Sequence, residues 1–235
     1  MTRMPTKPGM RLRAVIFDLD DTLVESTVNY GKFKSLVIER LISWGQDRQS
    51  YSPDETIVAI LSRYEQRMNA SGMSQKELDS RMAELDRIMD EVEMEHVAET
   101  KAIKGAGKLL RMLRSRGVKI GILTRGCEGY AEAALEVTGM LDSVDSIECR
   151  NSKTKAKPNP ESYLRLVHAL GVQKDETMFV GDHPIDAQCA ANAGVPFVAV
   201  RTGEVPDEIL REVGCLEVFA DVSEMITWFE SNLAN

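Results

Sequence analysis

Short apolar runs recur along the chain, and segments with a helical spacing of apolar residues separate them. The first run, Ala14–Phe17, contains no charged residue, which is typical of a strand buried on both faces of a parallel sheet. Similar runs predict further strands at residues 118–124, 144–147, 177–181, 196–200 and 216–219. The helices between them are predicted over residues 105–117, 128–138, 160–170, 185–193, 206–213 and 223–232. Because strands and helices alternate, we predict an α/β fold with a parallel sheet and right-handed crossovers.

A long helical segment interrupts this alternation after the first strand. Apolar residues three and four apart predict one helix over residues 27–45. Ser52, followed by Pro53, predicts the N-cap of a second helix that runs to about residue 69. Ser74 has the same capping role in front of an acidic stretch that reaches about residue 100.

The chain is therefore predicted to contain two domains. Residues 1–24 and 103–235 form the α/β core, and residues 25–102, which show no strand pattern, form an inserted all-helical domain. A chain of 235 residues is long enough to bury a substantial core in this arrangement. Residues 1–13, with two prolines and four basic groups, are predicted to be a mobile lead-in.

Composition narrows the possible environments and partners. A net charge of −8 argues against a nucleic-acid binder, which needs a clustered basic surface. No apolar run reaches the roughly 20 residues that span a bilayer, and the start of the chain lacks the apolar region of a signal peptide. The four cysteines have neither zinc-site nor disulfide-framework spacing, so we expect reduced, buried thiols. These features predict a cytoplasmic protein without a membrane or nucleic-acid partner.

A cluster of carboxylates directly follows the first predicted strand. Asp18 and Asp20 stand two residues apart, followed by Asp21 and Thr22. In open α/β sheets the ligand crevice lies at the carboxyl ends of the strands, where Asp18 and Asp20 could both turn toward one cation. Asp and Thr also commonly cap a following helix. Taken alone, this stretch favours the simpler capping interpretation.

Other polar groups follow later strands in the same way. Thr124 ends one predicted strand, and Asp182 comes directly after another. Lys157 lies in the loop that leads into the helix beginning at Pro160. A lone threonine is usually a surface residue whose hydroxyl is already hydrogen-bonded, and a lone lysine is usually a solvated surface group. Together, however, the three strand ends deliver a hydroxyl and carboxylates to the same edge of the predicted sheet, and Lys157 lies in a loop between them.

Four motifs, in order along the chain, closely resemble those of the haloacid dehalogenase superfamily. They are Phe-Asp-Leu-Asp-Asp-Thr-Leu at 17–23, Ile-Leu-Thr at 122–124, Lys-Pro-Asn-Pro at 157–160 and Val-Gly-Asp-His-Pro-Ile-Asp at 180–186. The overall pattern is most similar to the phosphoglycolate phosphatase and β-phosphoglucomutase-like subfamily. The resemblance implies a Rossmann-like doubly wound parallel sheet core, with the helical insert as a cap over the site. Arg125 and Gly126 depart from the pattern, since related phosphatases commonly have Asn after the threonine.

The resemblance also implies roles for the motif residues. Asp18 would be the nucleophile that forms an aspartyl phosphate, and Asp20 would act first as general acid and then as general base. Thr124 and Lys157 would hold the phosphoryl oxygens.

A Mg²⁺ ion is the implied cofactor, bound by Asp18, the main-chain carbonyl of Asp20 and Asp182. Thr22 would brace the loop. Asp186 could bind the metal directly, act through water or cap its helix, and we favour a role in orienting the direct ligands. His183 is adjacent to the site, and a structural role is favoured because Asp20 already carries the proton.

The leading hypothesis is a Mg²⁺-dependent phosphatase that hydrolyses a small phosphorylated metabolite. A β-phosphoglucomutase-like mutase uses the same four motifs and stays open. A catalytically silent module that binds a phosphate ligand is a third hypothesis, although every expected catalytic residue is present. Dehalogenation is disfavoured because that reaction has no alkoxide for Asp20 to protonate.

Overall fold

The computed structural model describes residues 12–152, 154–201, 206–212 and 214–233. The chain divides into two compact units. One unit is Thr27–Val97, and the other combines Met1–Ser26 with Ala98–Asn235. The predicted mobile lead-in lies outside the described residues except for Leu12 and Arg13.

The larger unit is built on a six-stranded parallel sheet. The strands of the described chain are β1 Ala14–Phe17, β2 Val24–Glu25, β3 Lys101–Ala102, β4 Lys119–Leu123, β5 Ser146–Glu148, β6 Thr177–Gly181, β7 Phe197–Val200 and β8 Val218–Phe219. The sheet order is β5-β4-β1-β6-β7-β8, and every neighbouring pair is parallel. β1 lies between β4 and β6, and all four of its residues are buried. The prediction of a Rossmann-like parallel α/β core is confirmed.

Helices flank this sheet. The α-helices of the described chain are α1 Tyr30–Ser43, α2 Ile57–Ala70, α3 Gln75–Met94, α4 Ala106–Ser115, α5 Glu128–Val137, α6 Pro160–Ala169, α7 Pro184–Ala193, α8 Asp207–Glu212 and α9 Val222–Asn232. α6 and α7 pack against each other and against strands of the sheet, and α4 packs on α9 and β4. Apolar side chains of α6 and α7, among them Tyr163 and Leu166 of α6, join alternate strand residues such as Ala14 and Ile16 in one core cluster. This packing therefore fixes the positions of the carboxyl ends of the strands.

The smaller unit is a three-helix packing of α1, α2 and α3. Its core includes fully buried Leu41, Tyr64 and Leu85, one from each helix. The ring of Trp44 lies 5.8 Å from that of Tyr64, and the guanidinium of Arg81 lies over Trp44 at 5.1 Å. This unit thus has an apolar core of its own.

Two boundaries of the predicted helical segment are wrong. α2 begins at Ile57 rather than Pro53, because Thr56 caps it by accepting a hydrogen bond from the N–H of Ala59 at 3.2 Å. Ser52 instead starts a turn, in which its N–H donates to the Glu55 carboxylate at 3.0 Å. The predicted Ser74 cap is confirmed, but α3 ends at Met94, well before residue 100.

The segment 25–102 is also not helical throughout. Glu25 lies in β2 and Lys101 and Ala102 form β3, and these two strands pair antiparallel. Two-residue strands are too short to show a period-2 pattern, which is why the sequence did not indicate them.

All four cysteines lie in the described part of the chain, and none of them forms a disulfide. Cys127, Cys149 and Cys189 are buried, whereas Cys215 is only partly buried, contrary to the prediction. Among the described residues, we find no helix with the length and apolar character needed to cross a bilayer.

Candidate active site

The loop after β1 places Asp18 at the carboxyl edge of the sheet. The N–H of Asp18 donates to the carbonyl of Val180 in β6 at 2.8 Å, so the strand pairing continues up to this residue. The backbone then turns sharply at Asp21, whose φ of +53° is in the left-handed region that aspartate tolerates. The N–H of Leu23 closes the turn on the carbonyl of Leu19 at 2.9 Å. Asp18, 9% exposed as a residue, is thereby held at the centre of the sheet edge.

A buried lysine lies between two carboxylates at this edge. Lys157 Nζ is 2.7 Å from Asp18 Oδ1 and 2.7 Å from Asp186 Oδ1. Burial of Lys157 disfavours its charge, but the two carboxylates outweigh burial and raise its pKa above the ordinary value. The loop lysine is therefore a fixed cation beside Asp18.

Three carboxylates form a compact cluster around that lysine. Ligand oxygens of Asp18, Asp182 and Asp186 all lie within 4.8 Å of one another. At an effective dielectric constant of about 20, each ionised pair at that distance repels by roughly 3 kcal/mol. Burial, followed by the charges of Asp18 and Asp186, raises the pKa of Asp182 above its ordinary value. A hard divalent cation would relieve this repulsion, and carboxylate oxygens are the ligands that such a cation prefers.

Hydrogen bonds orient the two later carboxylates. The hydroxyl of Thr22 donates to Asp182 Oδ1 at 3.1 Å, which ties the loop after β1 to the end of β6. Both oxygens of Asp186 are engaged, Oδ1 with Lys157 at 2.7 Å and Oδ2 with the N–H of His183 at 3.2 Å. Burial, followed by the charge of Asp18, raises the pKa of Asp186.

A glycine makes room for the Asp186 carboxylate. A Cβ atom at Gly181 would lie 2.5 Å from Asp186 Oδ2, closer than Cβ atoms come to other heavy atoms in real structures. Any larger residue at position 181 would displace that carboxylate.

His183 is the N-cap residue of α7 and has a structural role there. Its ring Nδ1 accepts a hydrogen bond from the N–H of Ile185 at 3.2 Å, so it caps the helix. Burial lowers the pKa of His183; the charge of Asp18 opposes this effect, and the charges of Lys157 and Arg125 add to it. A capping imidazole of this kind favours the structural interpretation.

Asp20 sits in the same loop but has a different environment. Its Oδ1 accepts a hydrogen bond from the hydroxyl of Tyr130 at 2.5 Å. Burial, opposed by the Tyr130 hydrogen bond and reinforced by the charge of Asp18, raises the pKa of Asp20 to about 7. Asp20 can therefore gain and lose a proton near neutral pH.

Thr124 follows β4, the neighbour of β1 in the sheet. It is almost fully buried, and its hydroxyl oxygen accepts a hydrogen bond from the N–H of Gly126 at 2.9 Å. Its own N–H donates to the carbonyl of Glu148 at 3.0 Å. These bonds shape a tight turn at the end of β4.

Several predicted residues thus meet in direct contact or in one cluster, while others only share the sheet edge. The first group comprises Asp18, Lys157, Asp182, Asp186 and Thr22. The second group comprises Asp20 and Thr124. Sequence reasoning missed Tyr130 and Gly181. The only signal for Gly181 was its place directly before Asp182, and Tyr130 resembled any core residue of an amphipathic helix.

The chain is similar to several known proteins. The chain is 29% identical over 218 residues to a phosphoglycolate phosphatase of Rhodospirillum rubrum, covering 92% of this chain and 90% of that protein. It is 24% identical to an N-acetylmuramic acid 6-phosphate phosphatase of Pseudomonas aeruginosa, covering 85% and 86%. Among solved structures, a provisionally named beta-phosphoglucomutase of Bacteroides vulgatus has a TM-score of 0.66 at 18% identity, covering 96% of this chain and 92% of that one.

The family model for haloacid dehalogenase-like hydrolases matches residues 15–200, a span that contains all four motifs and every site residue described above. On that match, the chain belongs to the family of haloacid dehalogenase-like hydrolases.

Proposed function

We propose that the protein is a Mg²⁺-dependent phosphatase that hydrolyses a small phosphate monoester through an aspartyl phosphate on Asp18. The observation that carries the proposal is the nearly buried Asp18 carboxylate at the end of the central strand, in contact with Lys157 and clustered with Asp182 and Asp186. The family match and the phosphatase relatives support the choice of a phosphate ester as substrate.

The first step transfers the phosphoryl group to Asp18. A carboxylate oxygen of Asp18 attacks phosphorus, and the bond from phosphorus to the ester oxygen breaks. Asp20 gives its proton to the departing oxygen, which leaves as a neutral alcohol. A pKa of about 7 suits this role, because a useful fraction of Asp20 is protonated near neutrality.

The second step releases phosphate. Asp20, now ionised, takes a proton from a water molecule as that water attacks phosphorus, and the bond between phosphorus and the Asp18 oxygen breaks. One group thus acts as acid and then as base, and Asp20 returns to its protonated form. Splitting the hydrolysis in this way replaces one difficult displacement with two easier ones.

The remaining residues position the phosphoryl group and balance its charge. Lys157 reduces the repulsion between Asp18 and the phosphoryl oxygens, and Thr124 offers its hydroxyl to them. Asp18, the main-chain carbonyl of Asp20 and Asp182 would hold Mg²⁺, with Thr22 and Asp186 orienting the ligands. When bound, Mg²⁺ supplies positive charge where phosphoryl transfer concentrates negative charge.

The substrate is proposed to be a small cytoplasmic phosphate ester, as in phosphoglycolate phosphatase. The helical segment 25–102 is, in this proposal, the cap domain that selects it. A panel of phosphate esters with Mg²⁺, including phosphoglycolate and N-acetylmuramic acid 6-phosphate, tests the proposal by release of inorganic phosphate. Turnover of no ester would leave a phosphate-binding module, and isomerisation of β-glucose 1-phosphate without net phosphate release would indicate a mutase.

Addition of Mg²⁺ is expected to raise the melting temperature more at about pH 8.5 than at about pH 5.5. The folded-state pKa values of Asp182 and Asp186 lie above the ordinary 3.8, so ionising these carboxyls costs stability. The metal-free protein should therefore lose stability as the pH rises from about 4 to about 8. The contribution of Lys157, whose pKa is raised above 10.5, stays constant in that window. Mg²⁺ binds the ionised form and should restore the lost stability.

The Asp182→Asn variant provides the control for this experiment. It keeps the side-chain shape and removes one charge from the cluster, so the metal-free variant should melt above the wild type at about pH 8.5. It should also lose most of its response to Mg²⁺. A Mg²⁺ shift of the same size at both pH values would contradict the assignment of the cluster as the metal site.

Asp182→Asn and Asp186→Asn are expected to differ in Mg²⁺ affinity. Because both oxygens of Asp186 already accept hydrogen bonds, we expect Asp186→Asn to weaken Mg²⁺ binding by about 10-fold to 100-fold, as for groups that orient metal ligands. Asp182→Asn should weaken it further, and calorimetric titration would compare the two. Equal collapse of binding in both variants would identify Asp186 as a direct ligand.

A further inference from the structure

A fully buried tyrosine holds the carboxylate of Asp20. The Tyr130 side chain has no exposed surface, and its hydroxyl donates to Asp20 Oδ1 at 2.5 Å across 110 residues of sequence. We propose that Tyr130 is a positioning residue of the reaction, which fixes Asp20 so that its other oxygen, Oδ2, gives and takes the proton. This inference rests on the proposed function and adds a residue to it.

Local structure fixes where this hydroxyl lies. Tyr130 is in the first turn of α5, which begins four residues after Thr124. The Cys127 sulfur caps the helix by accepting a hydrogen bond from the N–H of Tyr130 at 3.4 Å. The short link from the end of β4 to the capped helix start leaves little freedom for the tyrosine backbone.

A glycine in that link admits the tyrosine ring. A Cβ atom at Gly126 would lie 2.8 Å from Cδ1 of Tyr130 and 3.4 Å from the Thr124 hydroxyl oxygen. Because Gly126 has no side chain, the edge of the Tyr130 ring can pack against the turn that carries Thr124. This gives a physical reason for Gly126, one of the two positions that depart from the family pattern.

The bond from Tyr130 occupies Oδ1 of Asp20, and Ser26 is a second side chain that hydrogen-bonds to the same carboxyl group. A neutral carboxyl group has one O–H donor, and its other oxygen remains an acceptor. Since Tyr130 donates to Oδ1, the proton that Asp20 carries belongs on Oδ2. In the second step the same hydrogen bond keeps the Asp20 carboxylate in place while it removes a proton from water. In this proposal Tyr130 exchanges no proton itself and acts on the reaction through Asp20.

A purely structural role is the competing explanation, and the chain offers a matched control for it. Tyr163 is also fully buried, also lies in the first turns of a helix, α6, and its hydroxyl is 2.9 Å from the hydroxyl of Thr177. Tyr163→Phe removes a buried hydrogen bond between two hydroxyls, whereas Tyr130→Phe removes one to a catalytic carboxylate.

We expect Tyr130→Phe to lower kcat for an alkyl phosphate by about 10-fold to 100-fold, the effect of losing one hydrogen bond to a charged group. KM should change by less than about 3-fold, because Tyr130 does not touch the substrate. The rate of the first step with nitrophenyl phosphate should fall much less, since its phenoxide leaves without a proton. Tyr163→Phe should keep a near-normal kcat with both substrates, even where it lowers the melting temperature.

A double-mutant cycle separates action through Asp20 from a structural effect. In the Asp20→Asn background, adding Tyr130→Phe should cause no further loss of kcat. An equal loss for both substrates in the first step, a full additional loss in that background, or a kcat within about 2-fold of the wild type would each overturn the inference. Failure of the wild type on every phosphate ester would instead overturn the proposed function.

A second variant covers the case in which Tyr130→Phe does not fold. Gly126→Ala introduces a methyl group that must push the Tyr130 ring away, so it should produce the same leaving-group-dependent loss. Folding of each variant is checked by circular dichroism and melting temperature. A folded Gly126→Ala protein with unchanged kcat for alkyl phosphates would overturn the inference on its own.

Discussion

Replacing Asp18 with asparagine is expected to abolish turnover while leaving the protein folded. Asparagine has the shape of aspartate but lacks the anionic oxygen that attacks phosphorus. Its side-chain oxygen can still accept a hydrogen bond from Lys157, which also keeps Asp186 at 2.7 Å. Loss of a covalent nucleophile can lower kcat by roughly 10⁶-fold. Steady-state phosphate release from the best substrate of the ester panel measures this loss.

The neighbouring Asp21→Asn variant is the matched control for Asp18→Asn. Asp21 has a positive φ of 53°, which asparagine also tolerates. Its Oδ1 accepts a hydrogen bond from the N–H of Ser26 at 3.3 Å, and asparagine can accept the same bond. Asp21→Asn should therefore retain most of the activity. An Asp18→Asn protein with more than about one per cent of wild-type turnover would remove the covalent mechanism.

Asp20→Asn is expected to slow the two steps of the reaction differently, depending on the leaving group. An alkyl phosphate departs as a basic alkoxide and needs a proton in the transition state, so the first step should fall by about 10²-fold to 10⁴-fold. Nitrophenyl phosphate departs as a stable phenoxide and should lose much less in that step. Breakdown of the aspartyl phosphate uses the same water with either substrate, so its rate should fall equally. Rapid-quench kinetics with both substrates measures each step.

The Mg²⁺ site gives the control for Asp20→Asn. The proposed metal ligand from this residue is its main-chain carbonyl, so the variant should bind Mg²⁺ as the wild type does. Near-normal turnover without leaving-group dependence would make Asp20 structural. His183 would then be the first alternative proton carrier to test, even though its Nδ1 caps α7 in the structure.

The central strands could be predicted from sequence because their apolar runs end abruptly. Ala14–Phe17 and Thr177–Gly181 match β1 and β6 residue for residue. Both strands are buried on both faces, so every position holds an apolar residue, a small residue or a polar residue whose hydrogen bonds are made within the protein. Carboxylates follow at the ends of both strands. The helix boundaries within residues 25–102 were harder to predict, since residues that can cap a helix occur at several places there. Ser52 and Thr56 are both residue types that cap helices, and in the structure it is Thr56 that caps α2.

The site was predictable to the extent that strand ends meet at one edge of a parallel sheet. That rule brought Asp18 and Asp182 together from the sequence alone, and the motif resemblance added Lys157. The contact between Tyr130 and Asp20 depends on how α5 packs, and no spacing along the chain encodes it. The close approach of Asp186 to Gly181 is likewise a property of the folded backbone.

Mass spectrometry of the phosphorylated enzyme tests the central claim most directly. Asp20→Asn, mixed with nitrophenyl phosphate and Mg²⁺ and quenched in acid within its first turnover, should form the intermediate quickly and break it down slowly. The proposed mechanism predicts a burst of nitrophenol close to one equivalent of enzyme and a single phosphoryl group on Asp18. A burst with the phosphoryl group on another residue, or turnover without any phosphorylated protein, would contradict it.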